Sequence, residues 1–445
     1  MYLKRTFDDE LIQWKESAIR KPLLLRGARQ VGKTSSVKNL SNQFDHYVEI
    51  NFDENQLFSQ VFTKSQSVLE ICEQLSVLTN TPIVSGKTLL FLDEIQSCLP
   101  AISSLRYFYE KMPDLHVIAA GSLLEFALSE IPSFGVGRIR SLYIYPLSFR
   151  EFLMANKENL LLNQLDTAAI SNPLAEPVHQ KLILLYKKFL IIGGMPEAVA
   201  TYVNSKSLLD VQRVLDDLLI SFQDDFAKYK STVPTARLME VFDAVTKQVA
   251  TKFSYSYPNA TLNNKQIKDA IELLKMAGLV FSVTHSAANG IPLGAEVNPK
   301  KTKYLLFDTG LFQRLIGLNL SDLLLNDDFD SINKGNIAEL HVGLELIKNE
   351  NPYQRSQLYY WQRDAKNSQA EVDYVCQFKD SIFPIEVKSG SKGSMQSLYI
   401  FIKEKNLNWG FRVSLENFSE INQVGIFPLY AVYNLMHHFS HPDSR

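Results

Sequence analysis

The chain is poor in cysteine: three in 445 residues, Cys72, Cys98 and Cys376, odd in number and widely spaced. That excludes a disulfide framework and fits a reducing compartment. Charge of one sign is also lacking. Lys and Arg number 46 against 48 Asp and Glu, so no global field draws the chain to nucleic acid or an anionic membrane, and any such contact has to come from a local patch. Long apolar runs are missing as well. The richest stretches, 115–128 and 182–192, are broken by Gly121 and Glu125 and by Lys187 and Lys188, short of the roughly 20 residues that span a bilayer. The opening Met1-Tyr2-Leu3-Lys4-Arg5 runs straight into Asp8, Asp9 and Glu10, without the apolar stretch of a secretory signal. A cytoplasmic location without membrane contact is therefore expected. The eight histidines show no zinc-site spacing, and there is neither an internal repeat nor a low-complexity tract.

What is present is 46% apolar content over a length that exceeds one ordinary compact unit, so three or four domains are expected. An amphipathic helix at 7–19 leads to the apolar strand 23–25, a glycine-rich turn and a helix at 33–40. Apolar runs at 47–51, 88–92 and 115–120 alternate with helical segments, the pattern of a parallel sheet covered on both faces. Helical periodicity follows to about 225, interrupted at Gly193-Gly194-Met195-Pro196. Residues 236–318 read as a winged helix, and 334–349 as a helix before short strands at 358–363, 370–378 and 382–387. Linkers are expected at 156–159 and 323–330. The fold class is α/β: a parallel sheet covered by helices (1–155), a helical unit (156–235), a winged helix (236–322) and a smaller C-terminal α/β domain (331–435).

Gly27-Ala28-Arg29-Gln30-Val31-Gly32-Lys33-Thr34, followed by Ser35, matches G-x-x-x-x-G-K-[ST] in full, between an apolar strand and a helix. The glycines let the backbone curl so that its N–H groups face phosphate, and the helix N-terminus adds partial positive charge. Lys33 is expected to reach the β- and γ-phosphates and Thr34 to join the Mg²⁺ shell. Leu89-Leu90-Phe91-Leu92-Asp93-Glu94 delivers two carboxylates at a strand exit, Asp93 for Mg²⁺ and Glu94 to orient or deprotonate water. Ser122, after the strand 115–120, is a candidate for the γ-phosphate or the attacking water, or a helix N-cap. Arg138, and less so Arg140, are candidates for the arginine that accelerates hydrolysis, in cis or from a neighbouring subunit.

With Arg26 to Thr34 and Leu92-Asp93-Glu94-Ile95-Gln96, together with Ala120-Gly121-Ser122, Gly137-Arg138, Tyr145-Pro146-Leu147-Ser148-Phe149-Arg150-Glu151-Phe152, Gly193-Gly194-Met195-Pro196-Glu197, Phe307-Asp308-Thr309-Gly310-Leu311, Glu371-Val372-Asp373 and Ile385-Glu386-Val387-Lys388, nearly the whole chain resembles one group. It is the bacterial and archaeal AAA-type ATPases whose N-terminal P-loop domain is joined to a C-terminal domain of unknown function. The resemblance implies ATP as nucleotide, with ADP as product, and a helical lid in which Pro196 lies near the base or ribose. From the residues alone, Pro196 is the start of a helix.

Asp373, Glu386 and Lys388 resemble the core of PD-(D/E)xK nucleases, with Val372 where that motif's name has Pro. Glu386 and Lys388, two apart, share one strand face. Glu339 on the preceding helix completes a possible second metal site, with Gln369 or Glu371 at its rim; the alternatives are a nuclease-like fold that binds without cutting and an ordinary sheet with Glu386 paired to Lys388. The α/β architecture that follows is a P-loop NTPase parallel sheet, a helical lid, a winged helix and a smaller C-terminal nuclease-like α/β domain. Lys265, Lys268 and Lys275, or Lys300, Lys301 and Lys303, are candidates for phosphate contacts with DNA or RNA, or for a protein interface. Three readings follow: an Mg²⁺-dependent ATPase whose nucleotide state repositions the C-terminal half, a nucleotide-dependent switch or scaffold for a protein partner, and an ATP-gated metal nuclease. A homo-oligomer is compatible with all three.

Overall fold

The computed structural model describes residues 2–65, 67–131, 137–229, 233–256, 262–317, 334–363, 370–390 and 393–440. The expected linker 323–330 and Gln369 lie outside the described residues.

Five strands, β1 (Leu23–Arg26), β2 (His46–Asn51), β3 (Thr88–Asp93), β4 (His116–Ala120) and β5 (Arg140–Tyr143), form a parallel sheet in the order β2-β3-β4-β1-β5. Alternation within the apolar runs divides their side chains between two cores. Leu23, Leu25, Leu89, Phe91, Ile118 and Ala120 face one side, and Leu24, Leu90, Leu92, Val117 and Ala119 the other. A strand buried on both faces must be apolar throughout, which is why β3 is buried at all six positions. The second core is closed by the helices Val68–Thr79 and Leu99–Lys111. The first runs on without a break from Leu3 to Phe439.

The helices Phe149–Ala155, Asn159–Thr167, Glu176–Ile192, Pro196–Ser205 and Leu208–Asp225 fill the helical stretch. Where a winged helix is expected, β6 (Val280–Ser286) and β7 (Val297–Leu306) form an antiparallel hairpin after the helices Thr235–Lys247 and Asn264–Met276. Its strands do not end there. β6 also pairs in parallel with β8 (Leu358–Gln362), and β9 (Glu371–Phe378), β10 (Ser381–Val387), β11 (Gly410–Ser414), β12 (Ser419–Ile421) and β13 (Val424–Pro428) complete one eight-stranded sheet, β12-β13-β11-β10-β9-β8-β6-β7. This hairpin and the C-terminal strands therefore form a single hydrogen-bonded layer across the boundary expected at 322–331.

Buried polar contacts join this half to the parallel sheet. Gly194 accepts from the Leu147 N–H at 2.6 Å and donates its own N–H to Asp308 at 2.6 Å, while Asp308 also caps the helix Thr309–Leu315 through Leu311. A methyl group on Gly194 would collide with the Leu147 carbonyl, and one on Gly310 with that of Ile192, so both close approaches require glycine. From the helix Lys334–Lys348, Glu345 accepts from the Phe149 N–H at 3.2 Å and Lys348 donates to the Leu147 carbonyl at 2.9 Å. The motifs 145–152, 193–197 and 307–311 thus meet at one seam. Among the described residues no helix is long and apolar enough to cross a membrane.

Candidate functional site

The phosphate loop connects β1 to the helix Lys33–Ser41 at the C-terminal edge of the parallel sheet, where open α/β sheets place their ligands. Gly27 (φ 147°) lies so close to Ile144 that a Cβ would strike its carbonyl, and Gly32 (φ 97°) turns the backbone into the helix. Gln30 holds a left-handed φ of 62° without being glycine. The loop is braced from the N-terminal segment. Arg5, buried, pairs with Glu151 at 3.0 Å and donates to the carbonyls of Val31 at 3.0 Å and Tyr145 at 2.7 Å. Glu151 in turn closes a capping box with Ser148 and accepts from the Thr6 N–H.

Below the loop is a cavity of about 510 Å³, in the range of small-molecule sites, bordered by Arg29, Gln30, Gly32, Lys33, Thr34 and Ser35 of the loop and by Asp93, Glu94, Ser122 and Pro196. Its remaining walls include Tyr2, Leu3, Leu147, Glu197 and Ala200. The Lys33 ammonium donates to the Gly27 and Ala28 carbonyls at 2.9 and 2.7 Å. Burial pulls its pKa down to about 8, opposed by the charges of Glu94 and Asp93. The Thr34 hydroxyl donates to Asp93 at 2.8 Å, and the carboxyl of Asp93 is raised by burial while that bond holds it back. A hydroxyl and a carboxylate in contact beside the phosphate loop make a suitable donor set for Mg²⁺.

Glu94 adopts a left-handed φ of 48°, unusual for a non-glycine residue and a place where sites store strain. Its carboxylate accepts from Gln96 at 2.6 Å and from the Ser122 hydroxyl at 3.2 Å and N–H at 3.3 Å. Ser122 is therefore joined to Glu94 and does not cap the helix Leu124–Glu130, which has no side-chain cap. Gly121 leaves room for the Gln96 amide, into which a Cβ would run. Pro196 stands at the first position of its helix and faces Gly32 across the cavity.

Arg138 and Arg140 are not among the residues bordering the cavity. Arg138 pairs with Glu110, and Arg140, on β5, lies over the Tyr353 ring at 5.3 Å. The arginines that do border it are Arg5 and Arg29. Arg5 was hidden from sequence reasoning because its partner Glu151 is 146 residues away. Tyr2 and Leu3 carry no motif either, whereas Gln96 belongs to the segment Leu92-Asp93-Glu94-Ile95-Gln96 without a role being read from it. Asp225, whose carboxylate accepts from Arg29 at 2.7 and 2.8 Å, gave only the signal of an acidic residue closing a helix.

The C-terminal carboxylates also come together, around a residue expected elsewhere. Lys303, counted above with an exposed basic patch, is only 2% exposed, because β7 turns inward from Thr302. Its ammonium lies 2.7 Å from Glu339, 2.6 Å from Glu371 and 4.0 Å from Asp373, and 5.0 Å from the Tyr360 ring centre. Asp373 on β9 accepts from the Val387 N–H at 2.8 Å, and Lys388 pairs with Glu386 at 2.6 Å. Burial works against the Lys303 charge, but Glu339, Asp373 and Glu371 outweigh it and hold the ammonium protonated. Four carboxylates facing two ammonium groups leave an acidic excess, and burial with the Asp373 charge raises Glu339 to about 8 and Glu386 to about 7. Among the described residues no group of three or more His, Cys, Asp or Glu side chains is arranged to hold a metal ion. The Lys303 ammonium stands among Glu339, Glu371 and Asp373, while Glu386 is paired with Lys388.

Three family models match the chain: an AAA domain over residues 19–153, a domain of unknown function (DUF8612) over 183–322, and a domain of unknown function (DUF4143) over 334–430. No curated protein matches. Among solved structures, a Walker-type ATPase of Pyrococcus abyssi is 14% identical, with 71% of this chain and 96% of that one covered and a TM-score of 0.46. The Aeropyrum pernix ORC1 protein in complex with DNA is 13% identical, covering 70% and 90%, with a TM-score of 0.28. The S. cerevisiae Hsp104–ADP complex is 12% identical, covering 61% and 37%, also at 0.28. These likenesses are too distant to carry an argument about the site. The sheet order, the phosphate loop at its edge and the matched model agree: residues 19–153 form an AAA-type P-loop nucleotide-binding domain.

Proposed function

We propose that the chain is an Mg²⁺-dependent ATPase whose nucleotide state acts on its C-terminal half. The observation that carries this is one cavity in which Lys33, Thr34, Asp93, Glu94 and Ser122 meet. In this reading Lys33 leaves the Gly27 and Ala28 carbonyls for the β- and γ-phosphates, and the N–H groups of 28–34 surround the phosphate chain. Thr34 and Asp93 hold Mg²⁺, which when bound neutralises phosphate charge. Glu94 takes the proton of the attacking water, with Ser122 orienting its carboxylate. Tyr2, Leu3, Leu147 and Pro196 supply the side of the cavity suited to a base.

The lid, wing and C-terminal sheet are the parts moved, and the seam at Leu147, Gly194 and Asp308 is their route, since each group there is buried and bonded to another segment. Equilibrium titration tests the site. The wild-type chain should bind ATP and ADP with Mg²⁺, and Lys33→Ala should weaken ATP by about 10²-fold or more, as loss of a buried charge-assisted contact does. Equal affinities in the two proteins would overturn the assignment of Lys33.

A slow switch that binds a partner is the second reading. It is favoured by Glu94 being hydrogen-bonded to Gln96 and Ser122 instead of facing water freely. Tight ATP binding with negligible turnover would select it. The nuclease reading is weakened by the ammonium of Lys303 among the acids that would bind its metal. Nucleic-acid contact, if the wing makes one, falls to the exposed Lys300 and its neighbour Lys301.

A further inference from the structure

We infer that Arg29 is the arginine that a bound γ-phosphate recruits, and that it comes to that phosphate from Asp225, so that the third phosphate is sensed at the end of the helix Leu208–Asp225. The inference rests on the nucleotide reading above and adds a residue and a route to it.

Two arginines border the cavity, and their surroundings differ. The side chain of Arg5 is 5% exposed and committed to Glu151, Val31 and Tyr145, so withdrawing it would strand a buried carboxylate. Arg29 is 40% exposed and sits within the phosphate loop itself, two residues beyond Gly27. It gives only Nη1 to Asp225, at 2.7 and 2.8 Å, which leaves Nε and Nη2 for a ligand. Asp225 first, and Glu94 and Asp53 after it, favour its charged form, and Arg29 borders the same cavity as Glu94. A planar guanidinium matches phosphate oxygens two at a time, a geometry that lysine lacks.

Partner exchange is feasible because Asp225 has a second cation. Lys228 donates to the same carboxylate oxygen at 2.7 Å, so the 4%-exposed Asp225 side chain keeps a counter-charge when Arg29 leaves. The consequence falls at a junction. Asp225 ends its helix, and the turn after it carries Phe226, packed on Phe242 of the helix Thr235–Lys247, and Tyr229, stacked on Phe126 of the helix Leu124–Glu130 that follows β4. An Arg29 that releases Asp225 in the ATP state and returns to it in the ADP state gives the lid and the wing two arrangements to choose between.

The test is a comparison of ATP and ADP affinities, with Mg²⁺, for the wild-type full-length chain, Arg29→Ala, Arg29→Lys and Asp225→Asn. Arg29→Ala should weaken ATP about tenfold while leaving ADP within about twofold, and Arg29→Lys should recover only part of the loss. Asp225→Asn should act in the opposite direction and tighten ATP relative to ADP, because Arg29 no longer has a competing carboxylate. A loss shared equally by ATP and ADP, full recovery in Arg29→Lys, or a weakening of ATP in Asp225→Asn would mean that the pair only braces the loop, and would overturn the inference. Selective loss of ATP in Arg138→Ala but not in Arg29→Ala would do the same. A wild-type chain that binds neither nucleotide would overturn the nucleotide reading itself, whereas intact binding with an unchanged ATP-to-ADP ratio in Arg29→Ala would overturn this inference alone.

Discussion

Replacing Lys303 by methionine is expected to cost roughly 3–5 kcal/mol of folding stability, the scale on which breaking a buried ion pair leaves charge without compensation. Methionine keeps the length and much of the apolar stem, so little of the loss comes from a cavity. The cost comes from Glu339, Glu371 and Asp373, which lose the ammonium they surround. Its dependence on pH has a definite sign. Glu339, raised from its ordinary value to about 8 mainly by burial, contributes stability that is present below about pH 4.5 and lost as pH climbs through 8. Without Lys303 the carboxylates resist ionisation still more, so the variant's deficit should be larger at pH 8 than at pH 5, and Lys303→Met with Glu339→Gln should recover part of it. Urea midpoints at the two pH values measure this. A variant as stable as the wild type would mean that the acids are neutral and that the lysine does not hold them.

Glu94→Gln should lower the rate of phosphate release by about 10² to 10⁴-fold, the contribution of a positioned general base, with ATP affinity nearly unchanged. The amide keeps the shape and can still meet Ser122, so binding should survive where proton transfer does not. A split between lost turnover and retained affinity is what distinguishes a base from a structural residue at this position. Parallel loss of both would place Glu94 in the scaffold of the cavity, and single-turnover rates beside titrations decide between them.

The parallel sheet was legible because the strands at 23–25, 88–92 and 115–120 are apolar on both faces and the loop between Gly27 and Thr34 has one chemical purpose. What escaped was long-range. Nothing near Arg140 marks it as part of β5, whose pairing with β1 is fixed by a strand over a hundred residues earlier. The strands at 410–428 were not anticipated, being short segments defined by pairing in series, β11 with β10, β13 with β11 and β12 with β13. Lys303 read as one lysine of a basic run, since inward rotation of β7 is visible only against Glu339 and Glu371. The three motifs that meet at Gly194 and Asp308 were recognised as segments, but their contact depends on glycines that admit another segment's carbonyl, which spacing along the chain does not encode.

The most direct test of the central claim is steady-state phosphate release from ATP by the full-length chain, measured with Mg²⁺ and again with a chelator. Many phosphates released per chain with Mg²⁺, with the activity removed by the chelator and by Lys33→Ala, is the expected result. No release above background with Mg²⁺, in any oligomeric state and with DNA added, would contradict it.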